Sequence, residues 1–356
     1  MTIRLGIIGA GTIGEIHANA AKAAKQTVAG FADVDTSRAQ ALAKQFSGAT
    51  VTNDPQTLLD DASIDAIVVG VPNCWHKELA IAAMRAGKDV LLEKPMGMNA
   101  AECQEINDTA KSTGQILQIG MANRFTSVGQ SAKQFIGSGD LGEIYHAKAH
   151  LYRRRGVPGL GGWFTTKEFS GGGPLIDIGV HVVDLACWLM GFPKPQRVSG
   201  KVYSYFGKRM QDYVYEDMWA GPPKLDGVCD VEDSAHALIH FEGGSTLDLN
   251  VSWAINMPTN NMQGNGMMGF FGDRGGVTFE LSGDHLDIAT EQHGRNVDTR
   301  VILSETDPFQ TQATDFAESV ETRKSPCATG KQGQIVQSIL DAVYESSETN
   351  QEIACG

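Results

Sequence analysis

Short apolar runs alternate with amphipathic stretches along the first third of the chain. Strands are predicted at residues 3–8, 27–32, 65–70, 89–92 and 115–119, with helices at 12–25, 38–46 and 76–86 and a further helix that Asn99 begins and Gly114 ends. The apolar runs are rich in Val and Ile and lack a period of two, which is typical of parallel strands covered on both faces. The pattern predicts an α/β domain with a doubly wound parallel sheet over residues 1–123.

A different pattern begins near residue 124. Residues 144–152, 234–241 and 246–253 alternate polar and apolar side chains, and a Glu-Gly-Gly turn separates the last two segments. Alternation with a period of two indicates antiparallel strands that have one wetter face. We therefore predict an α+β domain over residues 124–356 that contains a large, mainly antiparallel open sheet.

Three further features belong to this second domain. Residues 203–230 are rich in Tyr, Trp, Gly and Pro and are predicted to form a long loop. A last amphipathic helix is predicted at 332–346, followed by a loose tail. Because one face of the sheet is expected to lack helices, another subunit or a loop must cover it, and we expect a homodimer or a homotetramer.

The composition narrows the class of protein. The 356 residues include 29 Lys and Arg against 42 Asp and Glu, which gives a formal net charge of −13. This acidic surplus disfavours nucleic acid and anionic membranes as partners, since both attract basic surfaces. The six cysteines form no C-x-x-C pair, no apolar run approaches the ~20 residues of a membrane span, and no secretion signal is recognised. A cytoplasmic location is therefore expected.

A glycine-rich turn follows the first predicted strand directly. Gly9, Gly11 and Gly14 form a G-x-G-x-x-G pattern that opens the first predicted helix. This spacing allows a tight turn, close approach of a pyrophosphate to the helix N-terminus, and close packing of helix on strand. Asp33 lies 19 residues after Gly14, where an acid can accept hydrogen bonds from an adenosine ribose. The alternative is a glycine turn that binds nothing.

The turn, strand and acid together predict a Rossmann-type dinucleotide-binding domain. The acid favours NAD over NADP as the cofactor, because a carboxylate repels the 2′-phosphate of NADP. Arg38 weakens this inference, since a basic side chain five positions after Asp33 can pair with that phosphate. The cofactor contacts expected from this region are Gly9, Gly11, Thr12, Ile13, Gly14, Asp33 and Arg38.

A second group of polar residues lies on an otherwise apolar helix, predicted at 174–190 after three consecutive glycines. At 100° per residue, Asp177, His181 and Asp184 lie within about 40° of one another, and Trp188 extends the stripe. A helix that is apolar all round is buried, so this stripe is either satisfied inside the protein or faces a cleft. The spacing also allows a facial metal triad, but no further His or Cys cluster accompanies it and no metal is expected.

One lysine occupies an unusual position. Lys94 follows the predicted strand 89–92 after a single residue and directly precedes Pro95. This places it at the carboxyl end of the sheet, where doubly wound folds bind their ligands. The alternative is a solvated lysine at a strand end.

These motifs, in this order and spacing, resemble the Gfo/Idh/MocA family of oxidoreductases over nearly the whole chain. The resemblance rests on the glycine pattern, on Glu93-Lys94-Pro95, on Asp177 and His181 after the glycine triplet, and on Val231-Glu232-Asp233. It implies that Lys94 contacts the substrate hydroxyl and the nicotinamide ribose, and that Asp177 and His181 are catalytic. It also implies that Asp184 occupies a helix position that reaches the sugar in some members.

The resemblance implies further contacts near the cofactor. The segment V-P-N-x-x-H at residues 71–76 is similar to the T-P-N-x-x-H segment of the family, with Val71 where Thr is frequent. Asn123 is similar to a residue of the family's hinge segment, whose side chain approaches the cleft. The additional cofactor contacts expected are Val71, Pro72, Asn73, His76, Glu93, Lys94 and Asn123.

A polar strand face indicates the class of substrate. His146, Lys148, His150 and Tyr152 alternate along the predicted strand 144–152, and three arginines follow. Such a surface suits a sugar, a polyol or a sugar derivative, while the arginines either recognise an anionic group or are solvated. The substrate contacts expected are Lys94, Asn123, Tyr152, Arg153, Trp163, Asp177, His181 and Asp184.

The chemistry of alcohol oxidation accounts for the three catalytic candidates. A base must take the hydroxyl proton and a cation must stabilise the developing alkoxide while hydride goes to the nicotinamide. We expect His181 to act as the base, Lys94 to supply the positive charge, and Asp177 to hold the imidazole or share the hydrogen bonds of the substrate. Three activities remain open: an NAD-dependent sugar or polyol dehydrogenase, a redox-neutral NAD-dependent enzyme that cleaves glycosides, and a nicotinamide-binding regulator without turnover.

Overall fold

The apolar runs of the first part of the chain pair as parallel strands. These strands are β1 (Arg4–Ile8), β2 (Thr27–Ala32), β3 (Thr50–Thr52), β4 (Ala66–Val69), β5 (Asp89–Leu92) and β6 (Leu117–Ile119). The computed structural model describes residues 2–215, 220–258 and 266–355, and within them this sheet has the order β3-β2-β1-β4-β5-β6. Every residue of β4 and β5 is buried, as expected for strands covered on both faces, and the predicted doubly wound sheet is confirmed.

The helices of this sheet are α1 (Thr12–Ala23), α2 (Thr36–Ala43), α3 (Gln56–Leu59), α4 (His76–Arg85) and α5 (Ala100–Thr113). The predicted capping residues of α5 are found in place. The Asn99 side chain accepts a hydrogen bond from the backbone N–H of Glu102 at 3.0 Å, which satisfies one of the unpaired donors at the helix start. Gly114 ends the helix in the left-handed region with φ of 72°, a conformation that favours glycine.

The chain divides into two compact units, and each of them combines two separate segments of the chain, whereas the prediction placed a single domain boundary after residue 123. The first unit comprises Met1–Phe125 together with Asp307–Gln334, and the second comprises Thr126–Thr306 together with Ile335–Gly356. The returning segment adds two buried residues, Phe316 and Ala317, to the core of the first unit. Non-local packing of this kind leaves no local sequence pattern, which is why the prediction assigned the segment to the second domain.

Arg124 anchors the returning segment within the first unit. Its guanidinium is fully buried and donates to the carbonyl oxygen of Cys327 at 2.6 Å and to Oε1 of Gln332 at 2.8 Å. A buried guanidinium is tolerated only when its donors are paired, so these bonds fix where the segment lies.

The second unit is built on a larger sheet. Its strands are β7 (Ile144–Tyr152), β8 (Pro195–Tyr203), β9 (Ser234–Phe241), β10 (Thr246–Ser252), β11 (Met267–Gly272), β12 (Gly275–Glu280), β13 (His285–Gln292), β14 (Arg295–Ile302) and β15 (Ile353–Ala354). In the described part of the chain their order is β14-β13-β12-β11-β7-β10-β9-β8-β15. All neighbours are antiparallel except β7 and β10, so the predicted mainly antiparallel sheet is confirmed.

Helices pack against one face of this sheet. They are α6 (Ser127–Gly137), a π-helical turn at Leu175–Gly179, α8 (Val180–Leu189) and α10 (Gly330–Thr349). The short helix α7 (Lys167–Ser170) belongs to the same unit, and α9 (Pro308–Thr322) belongs to the first unit. α8 packs on β7 and the π-turn packs on β10. Accordingly Ala147 and Ala149 of β7 are completely buried, whereas their neighbours His146 and Lys148 point to the opposite face.

Two predictions about irregular segments can be compared with the structure. The tail after the last helix is not loose, because Ile353 and Ala354 pair with β8 and extend the edge of the sheet. The predicted loop at 203–230 contains only a short 3₁₀ helix, Gly207–Asp212, in its described part, and residues 216–219 lie outside the described residues.

Among the residues that the structure describes, one helical stretch is long and apolar enough to cross a membrane. Lys167–Leu189 meets this test by length and composition, but 83% of its apolar window is buried inside the protein. Its apolar side chains therefore belong to the core of the second unit. No disulfide joins the six cysteines, all of which lie in the described ranges.

Candidate functional site

The three glycines of the first turn meet different surroundings. Gly9 has φ of +100°, and a Cβ there would lie 2.2 Å from the carbonyl oxygen of Gly70. A Cβ at Gly14 would lie 1.9 Å from the carbonyl oxygen of Gly9. A Cβ at Gly11, by contrast, would meet no atom within 4 Å. Gly9 and Gly14 are thus required by the fold, whereas Gly11 borders open space that a ligand can use.

Asp33 is held in one orientation at the end of β2. Its Oδ2 accepts a hydrogen bond from the backbone N–H of Ala10 at 2.7 Å, and its Oδ1 accepts one from the N–H of Asp35 at 2.8 Å. Each carboxylate oxygen keeps a second lone pair for another donor, such as a ribose hydroxyl. Arg38 is exposed, and its Nε lies 3.2 Å from Oδ2 of Asp35.

These features fit a dinucleotide. α1 begins at Thr12 after the N-cap residue Gly11, which has no side chain to cap it, so the first N–H groups and the positive end of the helix are available to an anion. Thr12 is exposed and Ile13 is half-buried at the same helix end. The loop therefore has the open backbone for a pyrophosphate and the fixed acid for a ribose that the sequence predicted.

Glu93 turns inward beside Lys94. Its Oε1 lies 2.7 Å from Nε2 of His17, and its Oε2 accepts the backbone N–H of Lys94 at 3.1 Å. Both side chains of this acid and histidine pair are buried, and a Cβ at Gly120 would lie only 2.6 Å from Oε1 of Glu93. The carboxylate is enclosed and holds the backbone of Lys94, and the contact of Glu93 with the cofactor stays a prediction.

His76 is a second buried histidine next to the same segment. Its Nδ1 lies 2.7 Å from the carbonyl oxygen of Pro95 and its Nε2 lies 2.9 Å from that of Val71, and the ring is completely buried. Burial lowers the pKa of His76, and the two backbone hydrogen bonds oppose this only in part. Both ring nitrogens face protein carbonyls, and the contact of His76 with the cofactor stays a prediction.

The other predicted cofactor contacts lie at the carboxyl ends of the first sheet. Val71 and Pro72 follow β4 and are half-buried, and Asn73 begins a 3₁₀ turn, Asn73–Trp75. Asn123 is half-buried in a 3₁₀ turn that follows β6, and Lys94 is half-buried after β5. Strands of one parallel sheet end at a common edge, so within the first unit these residues belong to the ligand-binding edge of the fold.

In the second unit, the glycine triplet is explained by its neighbours. Gly171 has φ of +81°, a Cβ at Gly172 would lie 2.0 Å from the hydroxyl of Tyr344, and a Cβ at Gly173 would lie 2.0 Å from the carbonyl oxygen of Glu232. The carboxylate of Glu232 accepts the N–H groups of Gly173 at 2.9 Å and Leu175 at 3.1 Å. The Tyr344 hydroxyl donates to the same carboxylate at 2.9 Å.

This contact explains the Val231-Glu232-Asp233 motif. Glu232 is buried and caps the start of the π-turn, where the backbone N–H groups have no helical partner. Burial raises the pKa of Glu232, and burial together with the nearby carboxylate raises the pKa of Tyr344 well above its usual value. The motif is thus a structural support for the helix that carries the catalytic candidates.

The polar stripe of this helix begins in the π-turn rather than in regular α-helix. Asp177 lies within the turn and is 8% exposed, and its Oδ2 accepts the indole N–H of Trp253 at 3.0 Å. His181 is half-buried in the first turn of α8, and Asp184 is 1% exposed. A π-turn has a wider hydrogen-bonding ring than an α-helix, so the 100° spacing assumed for Asp177 and His181 is wrong here; such turns are frequent at functional sites.

The polar face of β7 is separate from this helix. The ring of Tyr152 lies 6.0 Å from that of His150, whose Nε2 is 3.1 Å from Oδ2 of Asp248. Alternate residues of a strand point to opposite faces, and α8 covers the face of the alanines. Tyr152 thus lies on the alternation of β7 opposite to the face that α8 covers, and its contact with the substrate stays a prediction.

The two remaining predicted substrate contacts, Arg153 and Trp163, lie between β7 and the helix that carries Asp177. Trp163 and Phe164 stack with ring centroids 3.8 Å apart, and both are half-buried. Arg153 is half-buried directly after β7. In the ranges that the structure describes, no group of three His, Cys, Asp or Glu side chains is placed to hold a metal ion.

Sequence reasoning missed four residues that support the sites: His17, Trp253, Tyr344 and, as a capping group, Glu232. His17 left one signal, a polar residue on the packed face of α1 three positions after the last glycine. Trp253 and Tyr344 lie far along the chain from the residues that they contact, so no local pattern connects them.

Comparison with known proteins identifies two family domains. The model of the oxidoreductase family with an NAD-binding Rossmann fold, GFO/IDH/MocA, matches residues 3–121. The model of the GFO/IDH/MocA C-terminal domain matches residues 130–278. Together the two models match well over half of the chain.

Individual proteins are similar over half of the chain or more. D-glucoside 3-dehydrogenase from Escherichia coli (strain K12) is 33% identical over 356 residues, which cover 99% of this chain and 97% of that protein. Inositol 2-dehydrogenase 2 from Saccharopolyspora erythraea is 32% identical over 194 residues, 54% of this chain and 55% of that protein. A solved structure of levoglucosan dehydrogenase in complex with NADH is similar in fold, with a TM-score of 0.86 at 22% identity and full coverage of both chains.

The contrast between Gly11 and Gly14 predicts two different defects. Gly11→Ala should leave the thermal midpoint of unfolding within about 2 °C of the wild type, because the added methyl meets no atom, yet it should weaken NAD binding at least ~10-fold by occupying the open backbone surface. Gly14→Ala should lower the midpoint by roughly 2–10 °C, because the backbone must shift. Calorimetry of binding and thermal unfolding separate the two; equal NAD affinity in Gly11→Ala and the wild type would contradict the assignment.

The buried ring of His76 predicts a pH-dependent stability. Because its folded pKa lies below the ordinary value of 6.5, the unfolded chain binds the proton first as the pH falls. This contribution to stability is present above pH 6.5 and decreases as the pH falls below it. His76→Gln should flatten the dependence of the thermal midpoint between about pH 5.5 and 8. His293→Gln, which changes an exposed histidine, is the control and should keep the wild-type slope; the same slope in His76→Gln would refute the prediction.

Proposed function

Because the chain belongs to the Gfo/Idh/MocA family of oxidoreductases, we propose that it is an NAD-dependent dehydrogenase that oxidises a secondary ring hydroxyl of a D-glucoside, at C3. Within the family, the relatives described above are named for glucosides, inositol and levoglucosan, all of which are sugars or polyols. The first unit is an NAD-binding Rossmann domain. The observation that carries the choice of substrate is the 33% identity to D-glucoside 3-dehydrogenase along practically the entire length of both chains.

The charges around the ribose end of the glycine loop favour NAD over NADP. Asp33 points its carboxylate at the loop, and a second acid, Asp35, pairs with Arg38. A hydrogen bond from the Ser37 side chain lowers the pKa of Asp35, which keeps this carboxylate charged. Two carboxylates repel the 2′-phosphate of NADP, and the arginine that could attract it already has an acidic neighbour.

The chain's own residues account for the proton and charge changes of the reaction. His181 takes the proton of the substrate hydroxyl, and a histidine suits this task because its unperturbed pKa of ~6.5 is close to neutrality. Lys94 places an ammonium group by the oxygen that becomes an alkoxide and then a carbonyl. Asp177 orients the histidine or shares the hydrogen bonds of the substrate. Bound NAD supplies the acceptor for the hydride that leaves the carbon.

A direct assay tests this proposal. Purified protein with NAD should produce reduced nicotinamide, seen in the near-ultraviolet, in the presence of methyl glucosides, and faster than with NADP. myo-Inositol, levoglucosan and free glucose complete the panel and distinguish the glucoside from the other substrates of the family. Consumption of glucoside without net reduction of NAD would favour the redox-neutral mechanism, and no reaction with any sugar would favour a regulator.

The role of His181 has its own test. His181→Ala should lower kcat by about 10²–10⁴-fold, the usual value of general acid–base help, while the Kd for NAD changes by less than about twofold. The reason is that the cofactor contacts belong to the first unit. A large loss of NAD affinity in this variant would count against the assignment of His181 as the base.

We also propose that the protein is cytoplasmic and that a second copy covers the open face of the second sheet. That face carries Leu238 and Tyr203, which are 40% and 38% exposed, next to the ring of His236. Exposed apolar side chains on a sheet face that helices do not cover are typical of a subunit interface.

Light scattering after size exclusion tests the assembly. The wild type should have at least about twice the chain mass of 38.2 kDa. Leu238→Glu should shift it toward the monomer, because a charge is buried in the proposed interface. Ile302→Glu, at the end of the outermost strand β14, is the matched control at another exposed apolar residue. A monomeric wild type would contradict the proposal that a second copy covers this face.

A further inference from the structure

A buried tryptophan faces the carboxylate of Asp177. Trp253 directly follows β10 and is 1% exposed, one of the largest fully buried side chains of the protein. Its backbone is fixed on both sides, since its N–H donates to the carbonyl oxygen of Asp233 at 3.0 Å and its own carbonyl accepts the N–H of Gly156 at 2.7 Å. The indole therefore has little freedom to move away from Asp177.

The chemistry of the contact favours one state of the acid. The indole N–H of Trp253 lies 3.0 Å from Oδ2 of Asp177. The indole N–H of tryptophan can donate a hydrogen bond but cannot accept one. Its hydrogen bond to a carboxyl oxygen is strongest when the acid is ionised. Asp177 is only 8% exposed, and burying a carboxylate costs free energy unless hydrogen-bond donors surround it.

The backbone of the same acid is held by a different group. Glu232 accepts the N–H groups of Gly173, just before the turn, and of Leu175, its first residue, and Tyr344 donates to Glu232. Gly179, at the end of the turn, packs on Val251 of β10. The main chain of the π-turn is thus fixed without the tryptophan, and the indole N–H remains for the side chain of Asp177.

We propose that Trp253 is a positioning residue for the reaction: its indole N–H keeps the carboxylate of Asp177 ionised and in one orientation. This inference rests on the proposed function, in which Asp177 orients the base or the substrate. Tryptophan rather than phenylalanine is needed here because the donor, and not only the apolar bulk, does the positioning.

Trp253→Phe tests the donor while keeping an aromatic ring. It should lower kcat about 10-fold or more, the scale expected for loss of a charged hydrogen bond, and should leave the KM for NAD within about twofold. The acid limb of the pH profile of kcat should move to higher pH, because the carboxylate is easier to protonate without its donor. Tyr145→Phe, which removes a hydrogen-bond donor from an exposed aromatic residue of β7 outside the proposed sites, is the control and should behave as the wild type.

A double-mutant cycle separates positioning from packing. In an Asp177→Asn background, Trp253→Phe should change kcat by less than about twofold, since the carboxylate it serves is gone. An equal loss of kcat in both backgrounds, or an unchanged kcat and pH profile in Trp253→Phe alone, would overturn the proposal.

The same four proteins are compared by urea unfolding, which does not depend on turnover. The two substitutions should be coupled in the free energy of unfolding if the indole holds the carboxylate, and independent if it does not. If the wild type fails to oxidise any sugar while this coupling is present, the proposed function fails and the contact stands. If the wild type is active and the coupling is absent, the inference about Trp253 fails alone.

Discussion

A buried carboxylate must be met by donors, and this constraint organises both units. In the first, Glu93 lies between His17 and the backbone N–H of Lys94. In the second, Glu232 accepts two backbone N–H groups and the hydroxyl of Tyr344. Removing these partners would leave a charge without compensation in the protein interior, so the segments that carry Lys94 and Asp177 are held in place by the need to satisfy a neighbouring acid.

Close backbone approaches are the second constraint, and they give the glycines unequal roles. At Gly9, Gly14 and Gly173 the carbonyl oxygen of another residue occupies the space of a Cβ, so the fold itself excludes a side chain. At Gly11 the space is open and the exclusion comes from the ligand. Glycines of one motif can therefore be required for different reasons, some by the fold and some by the ligand.

The geometry of the second sheet puts on opposite faces residues that the sequence grouped into one predicted site. His150 and Tyr152 are polar residues of one strand, but the helix that carries Asp177 covers the other face of the sheet. The polar face also carries the exposed side chains of Leu238 and Tyr203, on strands β9 and β8 near one edge of the sheet. On the helix side of the sheet, the carboxylate of Asp177 accepts the indole N–H of Trp253.

The sequence by itself determined the elements whose causes are local. Apolar runs without alternation predicted the parallel strands, Asn99 and Gly114 predicted the ends of α5, and the glycine pattern with Asp33 predicted the dinucleotide-binding loop. Only the tertiary structure decided what depends on residues distant in the chain: the return of Asp307–Gln334 to the first unit, the inward turn of Glu93 and His76, and the support of Asp177 by Trp253. Local periodicity reports which side of an element is buried, whereas the partner that buries it is chosen by packing between distant segments, and no single stretch of sequence contains that information.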